Sequence, residues 1–330
     1  MLRREGHNDM RVLRRRTRRQ ELVPSVDWAM GDPTAQALCE ALRRQDWRTA
    51  RDVLIPVTDP DHHAFCLWAA CRVPNVQDWI GEWLDAEPRS TLPLLVRGTH
   101  AVDWAWEARG GASASQTSRD QFREFHLRLA LAEECLREVA ARDPDDTTAR
   151  AFLVTSARGL QVDRKEAQRR FDEVVARHPW HRLAHVQMLQ YRCAKWFGSH
   201  EEMFGFARAV AEEAPPGTGL AHLVAMAHLE MWLRLPEGED DQYLEQPEVL
   251  DELHLAADRS VRHAEHGRYP GWPAPHNNFA MCFALGGDRP AAAEQFRIVG
   301  DLVTRLPWAY LDGDDPGTPF LQWRNWVTGS

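Results

Sequence analysis

The fold is decided by residues 143–179, which read DPDDTTARAFLVTSARGLQVDRKEAQRRFDEVVARHP. We expect Asp143-Pro144 to open an apolar-periodic helix, and a second helix, after a short turn, to close at His178-Pro179. The next such proline is Pro215, so successive prolines are 35 and 36 residues apart. This period is typical of paired-helix repeats, and it predicts an all-α protein.

Capping boxes mark helix starts along the chain. In each box the first side chain accepts a hydrogen bond from a backbone N–H of the first helical turn, and the side chain of the fourth residue accepts one from the backbone N–H of the first residue. Apolar residues then follow at spacings of three and four, and no period-2 strand is evident. Each helix pair must bury its apolar stripe against its neighbours, which predicts one right-handed α-solenoid of irregular helix-turn-helix repeats. The boxes begin at Asn75, Ser118, Asp163 and Ser199, and about seven pairs are expected near 34–57, 61–86, 91–141, 147–177, 182–213, 218–263 and 275–306.

The two ends of the chain differ from the repeats. Residues 1–27 form a basic arm with eight arginines in its first 19 positions, and the natural start could be Met1 or Met10. The repeat domain is predicted over 28–310, and the apolar segment 311–330 is expected to cover the last repeat. An arginine-rich arm could bind nucleic acid, but the rest of the chain is acidic and would repel phosphates. A solvated tail is therefore the preferred interpretation.

Composition and motifs exclude several classes of protein. No apolar run is long enough to cross a membrane, and no apolar stretch follows the positive charges of the N-terminus. The six cysteines form no CxxC pair, which suits a reducing cytoplasm. The phosphate-binding patterns GxxxxGK[ST] and GxGxxG and the nucleophile pattern GxSxG are absent, so we expect no cofactor. Because the CxxC and HExxH patterns are absent as well, we also expect no metal.

Histidines give the most enzyme-like pattern, at His178, His181 and His185. Two histidines four apart on a helix could bind zinc with a third ligand. HExxH is absent, however, and His178 precedes a proline, which biases it out of a helix. We therefore expect His181 to cap a helix or face solvent and His185 to line the repeat groove. Three further pairs are interpreted as surface or loop residues: His62-His63, His222 with His228, and His263 with His266.

Two segments resemble the second helix of a tetratricopeptide repeat. They are residues 167–171, within the phrase that closes at His178-Pro179, and residues 287–296. Residues 195–208, and Arg97-Gly98 followed by residues 106–110, resemble a group of tetratricopeptide-like actinobacterial proteins. The resemblance spans most of residues 30–310. It implies a helical-repeat fold and a bacterial, cytoplasmic origin, and it implies no activity.

Tryptophan is abundant, with fourteen residues, most of which should fill the seams between helices. Trp104 and Trp106 cannot both face the same way, so one of them should point into the groove, where an indole beside arginine would suit a ligand. Three Arg-Gly steps add candidate binding residues, because a guanidinium can fork onto a carboxylate. They are Arg97-Gly98, Arg109-Gly110 and Arg158-Gly159.

The best candidate binding surface is a polar stripe on one helix, formed by Gln187, Tyr191 and Lys195 at spacings of four. In helical repeats the first helix of each pair lines the concave face. Asn277 opens another such helix and could add amide contacts.

Two functions remain open. The first is a protein- or peptide-binding scaffold that uses the concave face. The second is an enzyme or small-molecule binder with a pocket lined by Trp104, Arg109, His185 and Tyr191.

Overall fold

The computed structural model describes residues 22–110, 117–236 and 238–329, and these residues form helices and loops without a strand. The all-α prediction is confirmed. Residues 22–27 of the expected N-terminal arm have no regular structure, and residues 1–21 lie outside the described ranges. The helices are α1 (Pro33–Arg43), α2 (Trp47–Leu54), α3 (Pro60–Ala70), α4 (Val76–Ala86), α5 (Leu92–Arg109), α6 (Arg119–Arg142), α7 (Thr147–Gly159), α8 (Arg164–Val175), α9 (Arg182–Tyr191), α10 (His200–Glu213), α11 (His222–Trp232), α12 (Asp240–Tyr243), α13 (Pro247–Arg259), α14 (Pro273–Leu285), α15 (Arg289–Val299) and α16 (Gly317–Thr328), with a 3-10 helix at Trp308–Tyr310.

Most of these helices follow an N-cap residue whose side chain accepts a hydrogen bond from a backbone N–H of the first helical turn. Ser118 forms the full predicted capping box with Gln121, and Asp163 and Ser199 each accept a backbone N–H from the third helical residue. Asn75 differs: it adopts a left-handed conformation with φ 64° and makes no side-chain cap bond.

The start of α7 also differs from the sequence-based expectation. Asp143 is the C-cap of α6, and α7 begins only at Thr147, with Asp146 as its N-cap. The Asp143-Pro144 step therefore separates two helices rather than opening one, because α6 runs without a break up to Arg142.

The helices form two rows. The inner row contains α1, α3, α5, α7, α9, α11 and α14, and each of these packs against the next. The outer row contains α2, α4, α6, α8, α10, α13 and α15, each of which packs against an inner helix next to it in the chain. Among the described residues, no helix combines the length and apolar character needed to span a bilayer.

The inner row curves back on itself. Helix α3 packs against α7 and α9 as well as against its sequence neighbours. The two ends of the described chain also meet, because a Cβ added at Gly31 would lie 3.4 Å from Leu302 Cδ2 and one added at Gly317 would lie 2.1 Å from the Pro24 oxygen. Helix α14 is buried along nearly its whole length. These contacts bury apolar surface between helices that are not adjacent in the chain.

The segment after residue 310 packs against the body, where α16 contacts α14 and α15. Phe320 is fully buried, with its ring 5.2 Å from Phe296 and 5.4 Å from Trp308. Trp83 is also fully buried, and it stacks on Trp47. These tryptophans fill helix seams, as the sequence-based interpretation expected.

Gly159 ends α7 where that helix crosses α6, and its substitution tests the packing. A Cβ at Gly159 would lie 2.6 Å from Leu129 Cδ1 and 2.8 Å from Phe125 Cζ. We expect Gly159→Ala to lower the free energy of unfolding by about 1–3 kcal/mol through overpacking. Gly205 is the control: it is exposed in α10 with open space around it, so Gly205→Ala should stabilise the protein by about 0.5–1 kcal/mol. Urea unfolding measures both changes, and equal effects would contradict the packing argument.

Candidate functional site

The C-terminal halves of four inner helices, α5, α7, α9 and α11, contribute to one polar cluster. These helices are neighbours in the inner row, so residues near their ends approach one another although they are far apart in sequence. We call this group the inner cluster. Its members are Trp106 of α5, Arg158 of α7, Gln187 and Gln190 of α9, Lys195 and Trp196 of the following loop, Glu230 of α11, and Tyr310 of the 3-10 helix.

Glu230 is the negative centre of the inner cluster. Its side chain is only 3% exposed, and its Oε1 accepts hydrogen bonds from Gln190 Nε2 at 2.9 Å, Lys195 Nζ at 2.6 Å and Tyr310 Oη at 3.1 Å. Burial and the nearby Glu230 carboxylate raise the pKa of Tyr310 well above its usual value, so the phenol remains a neutral donor. The carboxylate is thus held by one cation and two neutral donors.

Arg158 lies beside this centre and is bonded quite differently. Its guanidinium carbon is 5.2 Å from the ring centroid of Trp106 and 5.3 Å from that of Trp196. Its Nη1 donates to Gln187 Oε1 at 3.3 Å, and it forms no ion pair within the described ranges. Burial lowers the pKa of Arg158 to about 10, so it is still charged at neutral pH. A half-buried cation without a carboxylate partner is costly, because burial removes its hydration.

Three hydrogen-bond donors of the inner cluster have no partner in the part of the chain that the structure describes. They are Arg158 Nε and the indole Nε1 atoms of Trp106 and Trp196, all of them shielded from solvent. The two indole rings are 5.7 Å apart and nearly perpendicular. A buried donor left unpaired costs about 1–3 kcal/mol. An acceptor that reached these atoms would recover that cost.

Four of the sequence-predicted binding residues meet at this place. Arg158, Gln187 and Lys195 belong to the inner cluster, and Arg109 lies beside it, with its guanidinium carbon 5.7 Å from the Trp106 ring and 5.9 Å from the Trp196 ring. The predicted helical stripe itself is broken, because α9 ends at Tyr191 and Lys195 lies in the loop that follows.

Tyr191 points away from this cluster. Its hydroxyl donates to Val162 O at 2.6 Å, and the residue is only 4% exposed. It lines a cavity of about 230 Å³ between α8, α9 and the start of α10. The other lining residues are Arg164, Gln168, Met188, Arg192, Phe197, Gly198 and Glu202.

Two predicted binding residues are core residues, which corrects the sequence-based expectation. His185 is 3% exposed, with its ring 5.0 Å from Phe171, and its Nδ1 bonds the His181 carbonyl, so it does not line a groove. Asn277 is fully buried; its Nδ2 donates to two backbone carbonyls, and its Oδ1 accepts from Trp308 Nε1 at 2.7 Å. His185 packs between α8 and α10, with its ring also 6.1 Å from that of Phe206, and Asn277 bonds the segment that follows α15.

Trp104 and Arg97 occupy other faces of α5. Trp104 stacks on His100, and the Arg128 guanidinium lies 3.8 Å from its ring centroid, so Trp104 and Trp106 face different neighbours, as expected. Arg97 is half-buried and precedes Gly98, where an added Cβ would lie 2.9 Å from Leu136 Cγ. Gly98 therefore serves the close approach of α5 and α6.

The histidines are more deeply placed than the sequence indicated. His181 is fully buried as the N-cap of α9, and His178 Nε2 lies 3.1 Å from Asp61 Oδ2. His222 and His228 were expected on a surface or loop but are buried on α11, which corrects that interpretation. The remaining pairs, His62-His63 on α3 and His263 with His266 after α13, are half-buried.

Sequence reasoning did not find Glu230 or Tyr310. Glu230 had a usable signal, since it is the one acidic side chain in the otherwise apolar or neutral helix HLVAMAHLEMW. A carboxylate in such a helix is rarely buried without a partner. Nothing in the sequence around Tyr310 indicated a place in this cluster, because the residue meets Glu230, 80 positions earlier, only through tertiary packing.

No known family model matches the chain, and no curated protein matches it either.

Proposed function

We propose that this protein is a binding module that recognises an acidic segment of a peptide or protein through the inner cluster. The helix pairs are interpreted as an irregular repeat array of the tetratricopeptide type, and a cytoplasmic location accompanies that interpretation. The observation that carries the proposal is Arg158, a half-buried cation that lacks an ion pair among the described residues.

The donors of the inner cluster favour a carboxylate as the recognised group. A carboxylate has two oxygens that can accept several hydrogen bonds, and guanidinium groups bind it in a forked geometry. Arg158 Nε and the two indole N–H groups are three unused donors around one cation. Glu230 is not that partner in the structure: Gln190, Lys195 and Tyr310 all donate to its Oε1, and no ion pair joins it to Arg158 among the described residues.

A peptide is favoured because the inner cluster reaches the surface. Lys195 is exposed, and Arg158 and Trp196 are half-buried, so an Asp or Glu side chain could approach from solvent while its backbone stays outside. Because Arg158 Nε and the two indole N–H groups are shielded, the side chains around them would have to move to admit the carboxylate. Tryptophan and arginine are also the residues that most often dominate binding energy at protein interfaces.

Peptide binding tests the proposal directly. An array of short peptides that each carry one Asp or Glu would be compared with the same peptides carrying Asn or Gln. We expect a subset of the acidic peptides to bind and their amide counterparts not to. Arg158→Gln should weaken that binding at least about tenfold, because a hydrogen bond to a charged group is lost.

Arg128→Gln is the matched control, since Arg128 also lies on a tryptophan ring, that of Trp104, but outside the inner cluster. This variant should bind the same peptides with unchanged affinity. The proposal is contradicted if no peptide discriminates carboxylate from amide, or if Arg158→Gln binds as well as the unmodified protein does.

A second candidate is small-molecule binding at the cavity beside Tyr191. Its volume of about 230 Å³ would take a compact ligand, and Arg192 in its wall favours an anionic one, whereas the Arg164 guanidinium is already paired with Glu202. A ligand held there would be lost on Arg192→Gln and kept on Arg158→Gln, which separates the two sites.

A further inference from the structure

Three side chains of different chemistry meet between helices α1 and α3. Asp32, His62 and Cys66 each offer one metal-binding atom, and these atoms all lie within 4.8 Å of one another. The His62 Nε2 atom is 3.2 Å from Asp32 Oδ1. Carboxylate, imidazole and thiol are the three ligand types that zinc takes in proteins.

The sequence places these groups together for simple reasons. His62 and Cys66 are four residues apart on α3, so they share one face of the helix. Asp32 is the N-cap of α1, where its carboxylate accepts the Ala35 N–H, and α1 packs against α3. A carboxylate has lone pairs to spare, so Asp32 can keep its cap bond and still bind a cation.

Cys66 is bonded unlike several other buried cysteines. Cys71, Cys193 and Cys282 each donate their thiol to a backbone carbonyl, of Trp68, Leu189 and Ala225 respectively. Cys66 is fully buried and, like Cys39 and Cys135, donates no hydrogen bond in the described part of the chain. Its sulfur faces the Asp32–His62 pair instead.

We propose that Asp32, His62 and Cys66 form a zinc site that ties α1 to α3. The ligands would be one Asp32 carboxylate oxygen, His62 Nε2 and Cys66 Sγ. Metal binding would replace the thiol proton, which is released to solvent, and the cation would compensate the thiolate and carboxylate charges. A thiolate with an imidazole favours zinc over magnesium or calcium, which prefer oxygen ligands. Three protein ligands leave a fourth position for water, and the His62 side chain, 25% exposed, gives access from solvent.

Cobalt is the probe for this site, because Co²⁺ takes the same geometry as zinc and reports its ligands by absorbance. The reduced full-length protein would be titrated with Co²⁺ and then with Zn²⁺. We expect one equivalent of Co²⁺ to bind with a near-ultraviolet thiolate-to-cobalt charge-transfer band, and Zn²⁺ to abolish that band. Zinc should also raise the melting temperature, because it binds only the folded form.

Cys66→Ser should remove the charge-transfer band and the zinc-dependent rise in melting temperature. Cys135→Ser is the matched control, since Cys135 is equally buried but lies on α6 outside this group, and it should keep both. If Cys66→Ser does not fold, His62→Ala serves instead and should weaken cobalt binding at least about tenfold. A protein that binds no cobalt, that binds it without a thiolate band, or whose band survives Cys66→Ser would overturn the proposal.

Discussion

Lowering the pH from 6.5 to 4 is expected to remove much of the stability of this protein. His181, His222 and His276 are buried, and burial lowers the pKa of each to about 4. They are neutral in the folded protein, whereas in the unfolded chain they take up protons below about pH 6.5. Their contribution to stability is complete above pH 6.5 and is lost as the pH falls to 4. Each histidine accounts for at most about 3 kcal/mol.

Urea unfolding at several pH values between 7 and 4 measures this loss. His276→Gln should reduce the slope of the unfolding free energy against pH by the equivalent of about one proton. His178 acts in the opposite sense, because its hydrogen bond to Asp61 raises its pKa, so the stability it adds is lost as the pH rises. Stability that stayed constant from pH 6.5 to 4 would contradict the burial of the three histidines.

Replacing Arg170 with alanine is the substitution with the largest expected effect on stability. Arg170 is 4% exposed, and its guanidinium bonds Glu133 at 2.6 and 3.2 Å, Glu166 at 2.8 Å and the Leu153 carbonyl at 2.8 Å. These bonds connect α6, α7 and α8. Removing the cation leaves the mostly buried Glu133 with the half-exposed Arg137 as its remaining charged partner. We therefore expect a loss of about 3 kcal/mol in the free energy of unfolding, the lower end of the range for breaking a buried ion pair.

Arg169 is the matched control, because it is the adjacent residue and also pairs with Glu166. Its side chain is 51% exposed, so Arg169→Ala should cost less than about 1 kcal/mol. Chemical denaturation of both variants at neutral pH measures the difference. Similar losses in the two variants would show that the interior network around Glu133 does not depend on Arg170.

Local signals were enough to predict the helices. Ser118, Asp163 and Ser199 begin helices as expected, because an N-cap is decided by the residue and its first helical turn. Asn75 fails as a cap because its backbone is left-handed there. The Asp143-Pro144 step was predicted to open a helix, but it lies between the end of α6 and the start of α7. A periodic pattern of apolar residues does not mark where one helix ends and the next begins.

The candidate site was predicted only in part. Gln187 and Lys195 were found as part of a polar stripe and Arg158 as part of an Arg-Gly step, and the structure brings them together. The interior positions of His185 and Asn277 were missed, because a sequence pattern shows that a helix has an inner face but not whether that face stays open.

By itself, the sequence determined the all-α class and several helix starts, such as those at Ser118, Asp163 and Ser199, because caps and apolar periodicity act within a few residues of the chain. Only the tertiary structure decided that the inner row closes, that Glu230 is surrounded by Gln190, Lys195 and Tyr310, and that Arg158 has no acidic partner within the described residues. These features depend on contacts between residues far apart in sequence. Such contacts depend on how all the helices pack together. A local sequence pattern shows only which face of one helix is apolar, not which other helix that face will meet.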